Sequence, residues 1–311
     1  MTGAFADRTR LAVVLIVASV LLLSAADAAV KAMSADYSLW QIYAARAIFS
    51  VPVLLLILAL GGIGQWFQVV RPWILLRSLL LVGMWIAYYA ALPSMDLSVA
   101  ATALYTTPLF IACFSSLFAG EPVGRTRWIG IAIGFIGVLV ILRPGADDFS
   151  IWTLLPILAA ILYALAAIVT RLRCASESPL VLALGLHLCL LFAGIVGTVS
   201  IALFDPPASD NFFLGRWTPM DLRDWAIMAG LGIVMVAIAT GVAKAYQIGA
   251  SSVVGTFDYT YLVFAALWGV LFFSETLDAM TVTGILLIIG AGVIVLRRPR
   301  VPVEDAPIPR V

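Results

Sequence analysis

The sequence predicts an all-α polytopic membrane protein whose ten transmembrane helices form two inverted five-helix repeats. Three observations lead there. The 311 residues are 63% hydrophobic and only 11% charged, too little polar surface for a water-soluble chain of this size. The apolar residues fall into runs of membrane-span length, about 20 residues at 1.5 Å rise each. One stretch occurs twice. Residues 98–121 and 252–275 coincide, among other positions, at Ser98/Ser252, Thr102/Thr256, Tyr105/Tyr259, Thr106/Thr260, Leu117/Leu271 and Glu121/Glu275, the mark of an internal repeat.

Taken in order, the apolar runs lie at about 11–30, 40–60, 73–93, 98–118 and 128–142, then at about 151–170, 179–204, 225–247, 252–273 and 280–296. The predicted organisation is a first repeat over 11–143, a second over 151–298 and a tail over 299–311. Arg8 and Arg10, the first apolar run and Ala26-Asp27-Ala28 imitate a cleavable leader; the ten-span reading keeps them as span 1. Each repeat holds five spans. Five is odd, so the second copy enters the bilayer from the opposite side. Inverted repeats of this kind are typical of secondary transporters, with the site near the midplane between the halves.

Charge orients the bundle. With both termini cytoplasmic, inside segments hold Arg8, Arg10, Arg71, Arg125, Arg127, Arg171, Arg173, Arg297, Arg298, Arg300 and Arg310, while outside segments hold Arg143, Arg216 and Arg223. That is a strong positive-inside bias. Arginine-rich usage hints at a bacterial source, and hence at a multi-pass protein of the cell inner membrane. Trp40, Trp152, Trp217 and Trp225 at outer span ends, and Trp73 and Trp128 at inner ends, read as interfacial anchors.

Composition also excludes. Net charge of +1 and the lack of a basic cluster give no sign of a nucleic-acid partner. Cys113, Cys174 and Cys189 have neither paired nor metal-ligand spacing and read as packing residues. No cofactor or metal is expected, and no Walker-type phosphate loop is present. The partners expected are the lipid bilayer and a small-molecule substrate, with the chain a monomer or homodimer. A single histidine without a catalytic cluster argues against a membrane enzyme. No ring of like residues or polar stripe suggests a channel.

Charges inside spans cost about 2.5–3.5 kcal/mol each at a helix centre, so they mark candidate sites. They are Asp27 and Lys31 in span 1, Arg46 in span 2, Arg77 in span 3, Lys244 in span 8 and Asp258 in span 9. Asp27 and Arg46 are equidistant from the turn joining their spans, as are Lys244 and Asp258, so each pair sits at one depth. The pairs are either structural ion pairs pinning hairpins or gates that open to substrate or proton. Arg77 reads as snorkelling to the inner interface or meeting an anionic substrate group. His187 reads as a buried, hydrogen-bonded residue or a proton-coupling group.

Among neutral residues, Tyr105 and Tyr259 with Thr106 and Thr260 lie near span centres, where a phenol hydroxyl needs a partner; they line a cavity or pack the core. Trp85 is deep enough to line a cavity, whereas Tyr88 and Tyr89 read as outer-belt residues. Pro108 frees a carbonyl near Leu104, making a packing kink or a hinge. Gly130, Gly134 and Gly137 on span 5, with Gly284 and Ala291 on span 10, form small-residue faces for close helix approach within the chain or at a dimer seam. Glu121 and Glu275 read as helix ends at the interface.

The pattern Tyr105-x-x-Pro108-Leu109-Phe110, Glu121, Gly130, Gly134-Phe-Ile-Gly137 and Leu142-Arg143-Pro144, repeated from Tyr259 through Glu275 to Gly284, resembles the EamA-type drug/metabolite transporter superfamily. The resemblance covers about residues 11–298 and implies a ten-helix inverted-repeat fold that carries small organic metabolites. Leu262 stands where the second repeat of the family often has proline, flanked by Tyr259-Thr260-Tyr261. With Asp27-x-x-x-Lys31, Arg71-Pro72 and Asp148-Phe149, the chain is closer to the subgroup that includes S-adenosylmethionine uptake carriers. The expected substrate is amphipathic or zwitterionic: a nucleoside-like cofactor, a vitamin or an amino acid. Export of amino acids or drugs by proton antiport is the alternative. The expected binding set is Asp27, Lys31, Arg46, Trp85, Tyr105, Thr106, Asp258, Tyr259 and Tyr261. The coupling or gating set is Asp27, Arg46, His187, Lys244 and Asp258, with Pro108 as hinge.

Overall fold

The computed structural model describes residues 2–61, 66–91, 104–118, 120, 123–142, 154–204, 212–273 and 279–297. Glu121, Glu275, Trp152, Arg143 and the 299–311 tail lie outside the described residues, as does the Lys31 side chain. Every regular element among the described residues is helical: α1 (Thr2–Met33), α2 (Leu39–Leu60), a 3₁₀ turn (Trp66–Val70), α3 (Pro72–Ala91), α4 (Thr107–Phe118), α5 (Arg125–Leu142), α6 (Leu154–Arg173), α7 (Pro179–Phe204), α8 (Leu222–Ile248), α9 (Ser251–Asp258), α10 (Thr260–Phe273) and α11 (Ala279–Arg297). Helices α9 and α10 together make span 9 and α11 makes span 10; the other spans carry the number of their helix. Among the described residues, seven helical segments are long and apolar enough to cross a bilayer, and shorter apolar helices cover 107–118 and 282–294.

Spans 2 and 7, 5 and 10, and 4 and 9 pack against each other. Span 1 packs on spans 8 and 9; its counterpart, span 6, packs on spans 3 and 4. Span 2 touches span 8, and span 7 touches span 3. These contacts map onto one another when the first five spans are exchanged with the last five, as a pseudo-two-fold axis demands.

The small-residue faces are used inside the chain. A Cβ on Gly137 would lie 2.8 Å from the Gly284 carbonyl oxygen, and one on Gly134 would lie 2.8 Å from the Tyr259 ring. Glycine therefore lets spans 5 and 10 touch backbone to backbone.

Each end of the bundle carries a tie between the repeats. At the predicted outer end, the turn between spans 1 and 2 grips the segment before span 8. Tyr37 donates to Asp224 (2.5 Å), Trp40 Nε1 donates to the Phe213 carbonyl (2.8 Å), and Gln41 exchanges bonds with the Thr218 backbone. Held by the Asp224 carboxylate, the Tyr37 phenol is pushed up to about 12 and stays a donor at neutral pH. At the predicted inner end, the turn between spans 6 and 7 grips the start of span 3. Arg71 Nη1 bonds Glu177 (2.5 Å); within the second repeat, Gln247 Nε2 at the end of span 8 donates to the Cys174 and Glu177 carbonyls of the same turn (2.7 Å each). Tyr37–Asp224 and Glu177–Arg71 join equivalent places in the two repeats. Trp40 is thus a loop clasp as well as an end-of-span residue, while Trp73 and Trp128 are exposed at their ends.

Candidate functional site

Two cavities lie between the repeats. The larger is bounded by spans 1, 2, 3, 6, 7 and 8. The second is bounded by spans 1, 3, 4, 6 and 9. Both are lined by Leu23, Asp27, Met84, Trp85 and Tyr163, so they meet at Asp27.

Their chemistries differ. Arg46, Arg77 and His187 line the larger cavity; Asp258, Tyr105, Tyr261 and Pro108 line the second. Asp27 accepts from Tyr261 Oη at 2.8 Å and Tyr89 Oη at 3.4 Å. Arg46 is close enough to act on Asp27 electrostatically, yet the two form no ion pair among the described residues. The expected direct Asp27–Arg46 pair is replaced by tyrosine hydroxyls. Asp258 likewise accepts from Tyr246 Oη at 3.4 Å and from Tyr163. The expected Lys244–Asp258 pair is absent among the described residues: Lys244 is exposed. Residues two apart on a helix point about 200° apart. Tyr246 faces Asp258, so Lys244 faces away. Shared depth in a hairpin sets height but not azimuth.

Two polar groups on the larger cavity lack hydrogen-bond partners among the described residues. The Arg46 guanidinium lies over the Tyr43 ring, 5.4 Å from its centroid, with no hydrogen-bond acceptor among the described residues although Arg46 is only 8% exposed. The Tyr43 hydroxyl is buried without a partner as well. Arg77 does not snorkel. It is 2% exposed, donates from Nε to Thr170 Oγ1 (2.8 Å) and from Nη1 to the Leu182 carbonyl (3.2 Å), and braces spans 6 and 7. His187 is buried; its Nδ1 lies 2.9 Å from the Ala183 carbonyl. A carbonyl only accepts, so Nδ1 carries the hydrogen, and the neutral ring keeps Nε2 as an acceptor.

The walls are aromatic. Trp85 stacks on Tyr89 with centroids 5.4 Å apart, and Tyr105 lies against Tyr261 at 5.3 Å. Tyr88 and Tyr89 are buried rather than belt residues. The outer belt is the wrong reading because both face span 1 and the cavity. Tyr259 lines neither cavity. It is fully buried in a cluster with Val138, Leu262 and Ile288, its hydroxyl unpartnered. Tyr105 and its repeat copy therefore occupy different surroundings.

Both copies interrupt their helix at the same point. In span 4, Tyr105 and Thr106 form a turn before α4, and the Leu104 carbonyl that Pro108 cannot reach accepts from Thr107 Oγ1 at 2.6 Å. In span 9, α9 ends at Asp258 and α10 starts at Thr260, whose Oγ1 donates to the Phe257 carbonyl at 2.7 Å. Local hydroxyls thus satisfy the freed backbone at mid-span. The sequence reading left out Tyr43, Tyr163 and Tyr246. Of these, only Tyr163 lies mid-span; Tyr43 and Tyr246 sit near the ends of α2 and α8, where an aromatic resembles a belt residue.

Comparison with known proteins accords with this geometry. The model of the EamA-like transporter family matches residues 10–143 and again 150–297. A pseudopaline exporter of Pseudomonas aeruginosa is 26% identical over 92% of this chain and 95% of its own. A riboflavin transporter of Rhizobium johnstonii is 30% identical over 85% of this chain and 81% of its own. An S-adenosylmethionine uptake transporter of Rickettsia bellii is 26% identical over 73% of each. A protein of known crystal structure superposes with TM-score 0.74 at 20% identity, over 91% of this chain and 96% of that one, which speaks to the fold alone. The relatives are transporters of small metabolites, not enzymes. With its family model matched twice, across both halves of a ten-helix membrane bundle, the chain belongs to the EamA-like transporter family.

Proposed function

We propose that this protein carries an amphipathic, ring-bearing metabolite with an anionic group across the bacterial inner membrane by alternating access, both termini being cytoplasmic. The observation that carries this reading is the unpartnered Arg46 guanidinium on a cavity walled by stacked Trp85 and Tyr89. A buried cation without an acceptor is costly, and a substrate carboxylate or phosphate supplies one. The stacked rings then hold an aromatic moiety, and Asp27, kept in place by Tyr261 and Tyr89, receives a hydrogen-bond donor or positive group. Tyr43 contributes its free hydroxyl. Tyr105 and Tyr261, with Pro108 at the break, line the route into the second cavity.

Of the compounds in the relatives' names, S-adenosylmethionine fits this chemistry with a purine, a carboxylate and positive charge, while riboflavin offers the fused ring without the anionic group. Both, with amino acids and nucleosides, form the test panel for uptake into proteoliposomes under an imposed pH gradient. Saturable uptake of at least one panel member, lost in Arg46→Gln for anionic members, supports the reading. Uptake of none, or uptake indifferent to Arg46, refutes it. The protein acts as a monomer or homodimer; chemical cross-linking in membranes distinguishes these.

A further inference from the structure

We propose that Asp258 is a proton-binding site, separate from the substrate-binding groups Asp27 and Arg46, and that span 9 carries its charge state to the substrate. The first half stands on geometry alone; the second rests on the transport reading.

Asp258 is the last residue of α9, at the break of span 9, and faces the second cavity. The groups that face it are all neutral donors or another acid. Span 6 presents Tyr163, span 8 presents Tyr246, span 4 presents Tyr105, span 3 presents Tyr88 and span 1 presents Asp27. From span 5, Arg127 bonds Ser252, almost two turns away along α9. Lys244 on span 8 is exposed and turned away. Span 10 brings no titratable group among the residues whose side chains are described. Asp27 has Arg46 as a nearby countercharge; Asp258 has none among the described residues.

A carboxylate in a membrane interior needs a countercharge or a proton. Tyr246 at 3.4 Å is a long contact for a hydroxyl donor, so it only partly satisfies an anion. A metal ion is a poor occupant. One carboxylate and two phenols fall short of the oxygen set that hard cations require, and no group of His, Cys, Asp or Glu suited to a metal occurs among the described residues. Proton uptake is the remaining neutral solution: Asp258–COO⁻ plus H⁺ gives Asp258–COOH, which can in turn donate to a tyrosine oxygen.

The connection to substrate is short. Three residues beyond Asp258, Tyr261 donates to Asp27 at 2.8 Å and lies against Tyr105. Trp268 on the same half-helix donates to Ser24 at 2.9 Å, one turn from Asp27. A shift at the break therefore reaches Asp27 through Tyr261. Proton and substrate occupy different carboxylates on this account, and need not displace one another.

The experiment is infrared difference spectroscopy of the reconstituted full-length protein across a pH series, with no substrate added. The wild type should show the C=O band of a protonated carboxylic acid that appears and vanishes reversibly. Asp258→Asn should abolish that band, Asp258→Glu should keep a displaced one, and Asp27→Asn should retain it. Circular dichroism and gel filtration identify variants that have not folded, and Asp258→Glu still reports if Asp258→Asn fails. A band that survives Asp258→Asn, or one that Asp27→Asn removes, overturns the proton site. In proteoliposomes with riboflavin or S-adenosylmethionine, a pH gradient should drive accumulation by the wild type and by Asp258→Glu but not by Asp258→Asn. Accumulation at the wild-type level overturns the coupling. If the wild type moves neither compound, the transport reading fails while the spectroscopic result stands by itself.

Discussion

Replacing Arg46 by glutamine separates a binding role from a structural one. Within the protein, the Arg46 guanidinium lies over the Tyr43 ring at 5.4 Å and is a nearby countercharge to Asp27. A cation–π contact of this kind contributes about 0.5–2 kcal/mol, offset in part by relief of a buried charge. Loss of the Asp27 countercharge adds to this, so Arg46→Gln should lower the melting temperature only modestly. Substrate binding should respond quite differently. Truncating one member of a buried, hydrogen-bonded charge pair costs roughly 2–5 kcal/mol, and each 1.4 kcal/mol is about tenfold in affinity. The KM for a carboxylate-bearing substrate such as S-adenosylmethionine should rise by roughly 30-fold or more. Riboflavin, which carries no anionic group, should be little affected. Initial-rate uptake into proteoliposomes gives both numbers. An equal effect on the two compounds, or a collapse of stability with unchanged KM in the folded fraction, would refute the assignment of Arg46 to a substrate anion.

Other expectations follow from the packing and the end ties. Gly137→Leu forces side-chain atoms into the gap where a Cβ already meets the Gly284 carbonyl at 2.8 Å; overpacking of this kind costs about 1–3 kcal/mol, seen as a lower melting temperature in detergent. Arg71→Gln removes a surface ion pair worth about 0.2–1 kcal/mol. If that pair closes the inner end, transport turnover changes up to about fivefold while KM for binding from the outside stays the same. Tyr37→Phe should act equivalently at the outer end, where the Asp224 bond is lost. In a background lacking the native cysteines, Trp217→Cys should react with an impermeant thiol reagent added outside intact cells and Ala175→Cys should not; the reverse pattern would invert the proposed topology.

Much of the architecture was legible because it rests on periodic, repeated features. Length of apolar runs gave the spans, the Tyr105/Tyr259 echo gave the repeat, and Pro108 gave the interruption of span 4. The glycines on span 5 pointed to close helix contact before its partner was known. The ion pairs were not legible. Sequence spacing in a hairpin fixes the depth of Lys244 and Asp258, while their facing depends on helix rotation, which Tyr246 reveals only in three dimensions. The break in span 9 was also hidden, since no proline marks it. Leu262 replaces the proline, and the interruption is held by Thr260 and the Phe257 carbonyl. Tyr88 and Tyr89 near a span end resembled belt residues, yet span 1 covers them and Asp27 accepts from Tyr89. The pairing of each carboxylate with phenols from other spans is a tertiary fact that single-span patterning cannot contain.

Equilibrium exchange in proteoliposomes bears most directly on the claim that the joined cavities form an alternating-access site. Vesicles preloaded with unlabelled riboflavin or S-adenosylmethionine are diluted into the labelled compound, and initial uptake is compared with that of empty vesicles. The account predicts saturable uptake of at least one compound, accelerated by the same compound on the opposite side. Uptake of both that rises linearly with concentration, indifferent to preloading, would contradict it.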